Sequence, residues 1–249
     1  MNDKELNNYL DYLVNWIKEE VINANQKGVV VGISGGIDSA VVAAIAQRAF
    51  PNNTTVVWMP CESSDLDESC KNDLIKELKF NNLVEVDLYK SFLTFKNELI
   101  NSGVELSKLA LANSKARLRM TTLYAIAQSN NYLVLGTDNL CEWHIGYFTK
   151  FGDGGVDLVP LIHMLKRDVR NAAKILGVPE SIINRAPTAS LWENQTDESE
   201  IGFSYDLIDD YLSNKNVANE VKNRVDYLHK ISHHKRNLAK KPLHYKELK

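Results

Sequence analysis

Cysteine is scarce in this sequence, and what there is does not pair. The 249 residues include three cysteines, Cys61, Cys70 and Cys141, and no CxxC pair. That pattern excludes a secreted disulfide scaffold and argues against a structural zinc site. The three read as small buried hydrophobes. Long apolar runs are also lacking: nothing approaches the length of a membrane span. The opening segment, MNDKELNNYLDYLVNW, has no basic start followed by an apolar core, so no signal peptide is expected. Together these point to a cytoplasmic protein without membrane contact. Positive charge is not in excess either. The formal net charge is -3, a poor match for a general nucleic-acid binder. No Pro/Gly/Ser-rich linker, internal repeat or low-complexity segment divides the chain, which predicts one domain over residues 1–249.

What is present is alternation. Leu6, Tyr9, Leu10, Leu13, Ile17 and Val21 recur at helical spacing, predicting an N-terminal helix over about 5–23. Apolar runs at 28–33, 54–59, 83–88 and 132–137 read as buried strands. Helical patterns separate them, over about 38–49, 66–79, 89–101 and 106–130. A helix over 166–176 stops at Gly177 with Pro179 beyond it. Further helices are expected at 204–213 and 217–234, within a C-terminal helical segment and basic tail spanning about 204–249. Strands alternating with helices predict an α/β fold: a doubly wound, Rossmann-like parallel sheet with helices on both faces.

Glycine is concentrated. Six of the 12 glycines lie at 32–36 and 152–155, where backbone must bend sharply or approach a ligand closely. The first cluster is Gly32-Ile33-Ser34-Gly35-Gly36-Ile37-Asp38-Ser39, between a strand and a helix. Backbone N–H groups and a helix N-terminus there suit an anion. Asp38 would repel phosphate unless a magnesium ion sits between them. No Lys-Ser/Thr pair follows the last glycine, and the spacing is not GxGxxG, which excludes both common nucleotide loops. The pattern SGGxDS resembles the pyrophosphate loop of the ATP pyrophosphatases.

Further motifs stand at KARLRM (115–120), GTDNLCEWHIGYFTKFGDGGVDLVPL (136–161), LIHMLKRDVR (161–170), APTASLWENQTDESEIGFSYDLIDDYL (186–212) and HHKR (233–236). In this order they resemble the ammonia-dependent NAD synthetases, of the adenine nucleotide alpha-hydrolase-like fold. The resemblance implies a ligase that uses ATP to adenylate the nicotinate carboxylate of deamido-NAD, then amidates it with ammonia. It implies ATP binding by Gly32, Ile33, Ser34, Gly35, Gly36, Ile37, Asp38, Ser39, Thr137, Lys166 and Thr188. Magnesium falls to Asp38 and Glu142, and catalytic roles to Asp38, Lys166 and Asp157. Deamido-NAD falls to Arg117, Lys150, Asp157, His234 and Lys235. Arg117 and Arg119 cannot share one helix face, and either could meet the dinucleotide. Asp153 reads equally as a site residue or an Asp-Gly turn. A homodimer is implied, with the helices near 107–129 and 5–21 as candidate faces.

Asn139-Leu140-Cys141 departs from the family pattern, which has His-Ala-Ala or similar there. The polar segment 187–200 and the loop 61–66 read as mobile lids. The motifs span residues 32 to 235, which leaves no room for a glutaminase and points to free ammonia. The same loop also occurs in GMP synthesis and tRNA modification, and a non-catalytic nucleotide sensor could share the fold. The acidic balance and scattered cysteines oppose the tRNA modifiers. Two magnesium carboxylates oppose a sensor.

Overall fold

The computed structural model describes residues 1–188 and 196–247. The chain opens with α1 (Asp3–Asn23), whose first turn is closed by a reciprocal cap between Asn2 and Glu5. Then follow β1 (Gly28–Ile33), α2 (Ile37–Ala49), β2 (Thr54–Trp58), α3 (Asp65–Leu78), β3 (Asn82–Glu85), α4 (Tyr89–Asn101), α5 (Lys108–Asn130) and β4 (Tyr132–Leu135). Shorter helices complete the chain: α6 (Leu140–Ile145), α7 (Lys166–Leu176), α8 (Glu180–Ile183), α9 (Asp197–Ile201), α10 (Tyr205–Leu212) and α11 (Asn219–Ile231).

The four strands form one parallel sheet in the order β3-β2-β1-β4. Period-two alternation divides its side chains between two cores. Val29, Val31, Ile33, Val56 and Trp58 pack with α1, α2 and α7. Val30, Val57, Met59 and Val134 face the other way, with α4 and α5. The expected doubly wound α/β sheet is therefore present. A third core joins α6, α10 and α11 through Ile145, Tyr205, Ile208, Val221 and Val225.

The strands differ from expectation at their ends. The run 83–88 is paired as strand only over Asn82–Glu85, and its side chains alternate in burial because β3 lies at the sheet edge. Val86 and Leu88 still donate to the Trp58 and Pro60 carbonyls, each at 2.9 Å. Likewise β4 stops at Leu135, because Gly136 N–H turns to the Leu158 carbonyl at 2.8 Å. The helix expected over 217–234 ends at Ile231 and tightens into a 3₁₀ turn over His233–Arg236. The short helices α6, α8 and α9 have too few residues to show a period, and the sequence did not signal them.

The chain leaves β1 toward β2 on one side, while β4 adds to β1 on the other. Between the carboxyl ends of β1 and β4 the connections diverge, which opens a crevice.

Candidate active site

A cavity of about 480 Å³ lies at this divergence, lined by the turn after β1 and by Leu135–Asp138 after β4. The β1–α2 turn has a fixed internal order. Gly35 adopts φ +77°, the left-handed region open to glycine. Ser34 N–H donates to Ser39 Oγ at 3.1 Å, and Ser39 Oγ donates to the Gly36 carbonyl at 3.0 Å. Gly36 N–H donates to Ser34 Oγ at 3.2 Å. The turn delivers Asp38 to the first turn of α2.

Lys166 meets Asp38 across the crevice. It is the first residue of α7, an unfavourable place for a cation beside a helix dipole. Its Nζ is buried and lies 2.6 Å from Asp38 Oδ2 and 3.1 Å from Glu142 Oε1. The Tyr205 ring lies 4.6 Å below the same ammonium. Burial pulls the Lys166 pKa down, but Asp38 and Glu142 outweigh it and raise the pKa above its ordinary value. Burial, then repulsion from Asp38, pushes the Glu142 carboxyl up to about 7. Tyr205 OH donates to Glu142 Oε1 and Asp197 Oδ2, each at 3.1 Å.

Asn139 has a role the motif alone did not reveal. It is fully buried, its Oδ1 caps the Cys141 and Glu142 amides at the start of α6, and its Nδ2 donates to Asp38 Oδ1 at 2.8 Å. The departure from the family pattern thus orients both magnesium candidates. Cys141, also buried, donates its thiol to Asp209 Oδ1 at 2.9 Å. All three cysteines are free and buried, as the sequence suggested.

The donor set fits magnesium. Asp38 and Glu142 are hard oxygen ligands that reach one ammonium, so they are close enough to share one cation. Asp138 and Asp197 add carboxylates to the same cavity wall, and Asp138 Oδ2 and Asp197 Oδ1 are buried with no partner among the described residues. Burial, and then the charges of its carboxylate neighbours, raises Asp138 well above the ordinary range. Such a wall gains by binding a cation. Among the described residues no three His, Cys, Asp or Glu side chains form a metal site alone. Magnesium typically keeps water and substrate phosphate in its shell, so two carboxylates suffice.

The structure gathers much of the expected set. Gly32, Ile33, Ser34, Gly36, Ile37, Asp38, Ser39, Thr137, Glu142, Lys166, Thr188 and Lys235 all line the cavity; Gly35 does not. Arg117, Lys150 and His234 lie outside it but touch one another. Arg117 Nη2 donates to the Lys150 carbonyl at 3.2 Å, and Lys150 Nζ donates to the His234 carbonyl at 2.7 Å. Asp157 stands apart, accepting from Tyr124 OH at 2.9 Å and Val134 N–H at 2.8 Å. Arg119, rather than Arg117, faces the cavity, with Nε on the Met59 carbonyl at 3.2 Å. Asp153 lines the cavity and also closes its turn through Thr149 N–H at 2.9 Å.

Of the expected lid 187–200, residues 189–195 lie outside the described set. Its two ends meet, with Asp197 N–H on the Pro187 carbonyl at 3.2 Å. The loop 61–66 is short, because α3 begins at Asp65, and Glu62 within it pairs with Lys115. Arg185, Tyr205 and Asp197 also belong to the site; Asp197 and Tyr205 lie within the motif at 186–212, but nothing there singled them out as site residues.

The model of one protein family, NAD synthase, matches residues 9–246. The chain belongs to the NAD synthase family. An NH(3)-dependent NAD(+) synthetase of Mesoplasma florum is 65% identical over 97% of this chain and 99% of its own length. Among solved structures, NMN synthetase from Francisella tularensis is 40% identical with a TM-score of 0.90, covering 95% of this chain and 98% of its own. An NH3-dependent NAD synthetase from Campylobacter jejuni is 25% identical with a TM-score of 0.78, covering 96% of this chain and 99% of its own. The NAD synthase fold therefore accounts for the cavity's place at the carboxyl ends of the strands.

Proposed function

We propose that this NAD synthase makes NAD from deamido-NAD, ATP and ammonia, through an acyl-adenylate. The observation that carries the reading is the Lys166 ammonium held between Asp38 and Glu142, 2.6 and 3.1 Å away, beside the glycine loop. That is the arrangement needed where a highly charged triphosphate must be gripped and its pyrophosphate released.

In this reading Gly32–Ser39, Thr137, Lys166 and Thr188 hold ATP. Asp38 and Glu142 hold magnesium, which supplies charge neutralisation on the phosphates when bound. Arg117, Lys150, Asp157, His234 and Lys235 meet deamido-NAD. A nicotinate carboxylate oxygen attacks the α-phosphorus, and the bond to the bridging oxygen breaks so that pyrophosphate leaves with the electron pair. Ammonia then attacks the acyl carbon, the amide forms, AMP departs with the former carboxylate oxygen, and the extra proton is lost. Adenylation turns a poor acyl acceptor into a good one. Lys166 offsets charge on the leaving pyrophosphate, and the glycine-loop amides hold it. Positioning and charge placement do most of the work, with no covalent enzyme nucleophile.

A homodimer in the cytoplasm and a single domain over 1–249 complete the proposal. Among the described residues no helix is long and apolar enough to cross a membrane. The apolar face of α1 is used up in its own core through Leu6, Leu10, Leu13, Ile17 and Val21. By contrast, only Ala112, Lys115 and Ala127 of the long α5 are buried, which favours α5 as the face for a second copy.

The neighbour named for NMN favours one competing substrate, the nicotinate mononucleotide. The assay therefore offers ATP, magnesium and ammonium with either acid and measures amide product and pyrophosphate. Faster turnover of deamido-NAD is expected, with little product when glutamine replaces ammonium. Preference for the mononucleotide would overturn the substrate assignment. Pyrophosphate release independent of either acid would overturn the reaction.

A further inference from the structure

We propose that Arg185 is a positioning residue that sets the Gly35–Gly36 peptide of the glycine loop for pyrophosphate. The inference rests on the reading of Gly32–Ser39 as the pyrophosphate site. Arg185 follows α8 and enters the cavity-lining stretch Ala186–Thr188. Its guanidinium forks. Nη1 donates to the Gly35 carbonyl at 3.2 Å, and Nη2 pairs with Asp67 Oδ1 at 2.5 Å. Asp67 is buried and firmly placed: its Oδ2 accepts from Ser64 N–H and Ser64 Oγ, each at 2.8 Å, at the start of α3.

The peptide plane transmits this grip. A trans peptide holds C=O and the next N–H in opposite directions. Pinning the Gly35 oxygen toward Arg185 therefore aims the Gly36 N–H the other way, toward Ser34 Oγ at 3.2 Å. Gly36 lines the cavity and Gly35 does not, which agrees with that orientation. Gly35 at φ +77° allows this peptide to rotate, and within the loop Ser34 Oγ holds only its N–H end. Local side chains do not hold the Gly35 oxygen; Arg185 does, from 150 residues away in the chain. Space is tight on that side as well. A Cβ on Gly35 would lie 2.7 Å from the Asp67 carbonyl oxygen and 3.2 Å from Arg185 Nη1. The loop, the head of α3 and the root of the segment after α8 thus converge on one peptide bond.

A lysine cannot replace the fork, since a single ammonium does not reproduce two fixed donors. The test measures binding of inorganic pyrophosphate with magnesium to the full chain by calorimetry, and follows the Gly36 amide in protein labelled with ¹⁵N-glycine. In the unaltered chain that amide should shift on adding pyrophosphate. Arg185→Lys should weaken pyrophosphate by about tenfold, the scale of one lost charge-assisted hydrogen bond, and erase the shift. It should raise KM for ATP while leaving KM for deamido-NAD unchanged. Asp67→Asn should act in the same direction, and the double variant should be no worse than the weaker single. Unchanged pyrophosphate binding and a normal Gly36 shift in a folded Arg185→Lys chain would overturn the proposal. So would additive losses, which would mean Arg185 grips pyrophosphate without Asp67. Should Arg185→Lys not fold, Asp67→Asn alone decides by the same shift. If Asp38→Ala binds magnesium pyrophosphate like the unaltered chain, the pyrophosphate-site reading itself fails, and Arg185 falls with it.

Discussion

Lys166, Asp38 and Glu142 form a balance of charges that no one of them could hold alone. Two carboxylates face one ammonium in a buried setting, so removing Lys166 leaves both carboxylates uncompensated, while removing either carboxylate leaves a one-to-one pair. Glu142 is the member whose charge changes near neutrality. Its carboxyl, raised from 4.5 to about 7, binds protons more tightly in the folded chain than in the unfolded one. The metal-free protein therefore loses stability as pH rises from about 4.5 through 7, the reverse of a carboxylate stabilised by a partner. The same shift makes protons compete with metal. Manganese binding, read by electron paramagnetic resonance without nucleotide, should weaken as pH falls through about 7, and Glu142→Gln should flatten that step. A pH-independent affinity in the unaltered chain would contradict the role given to Glu142. At this scale the glycine loop was readable because its residue types must occur side by side. Lys166 was readable only by resemblance, since its partner Asp38 lies 128 residues away. Arg185 and Tyr205 were not readable, because nothing in their local sequence separates a site residue from a surface arginine or a core tyrosine.

α7 is the element that carries Lys166, and it begins without a side-chain cap of its own: Leu165 occupies the cap position. Asp209, from α10, takes over. Its fully buried carboxylate accepts from Lys166 N–H at 3.0 Å, Arg167 N–H at 2.9 Å and Arg167 Nε at 3.0 Å. A carboxylate there satisfies orphan amides and suits the positive end of the helix dipole. Asp209→Ala should cost roughly 3 kcal/mol by chemical denaturation, the scale of breaking a buried charge network. Near-neutral stability would show that α7 is held elsewhere. The periodic helix α1 was legible from the spacing of Leu6, Leu10, Leu13, Ile17 and Val21. α6 was not, yet its six residues carry Glu142 under a cap from Asn139. The sheet edge misled differently: β3 reads as a buried run, but an edge strand needs only one covered face, so its residues alternate.

Across the whole molecule, the strip of Arg117, Lys150 and His234 lies beside the cavity rather than in it, joined by backbone contacts. A dinucleotide spanning cavity and strip would sit near α5, a long helix of which its own chain buries only Ala112, Lys115 and Ala127. Light scattering should accordingly give twice the 28.1 kDa chain mass, and a charged substitution at the exposed Leu109 should shift it toward one. A monomer at working concentration would contradict the dimer. Folding pattern and reaction class were legible over the whole chain because alternation and ordered motifs extend through it. The placement of the strip outside the cavity was not, since it depends on how α5, the turn at 149–155 and the C-terminal helix meet in space.

In the proposed reaction a nicotinate carboxylate oxygen attacks the α-phosphorus of ATP. It is tested by turning over deamido-NAD that carries ¹⁸O in the nicotinate carboxylate with ATP and ammonium, then weighing the products. Attack by the carboxylate puts one labelled oxygen in AMP and none in pyrophosphate. Label in orthophosphate, with ADP as the nucleotide product, would contradict it.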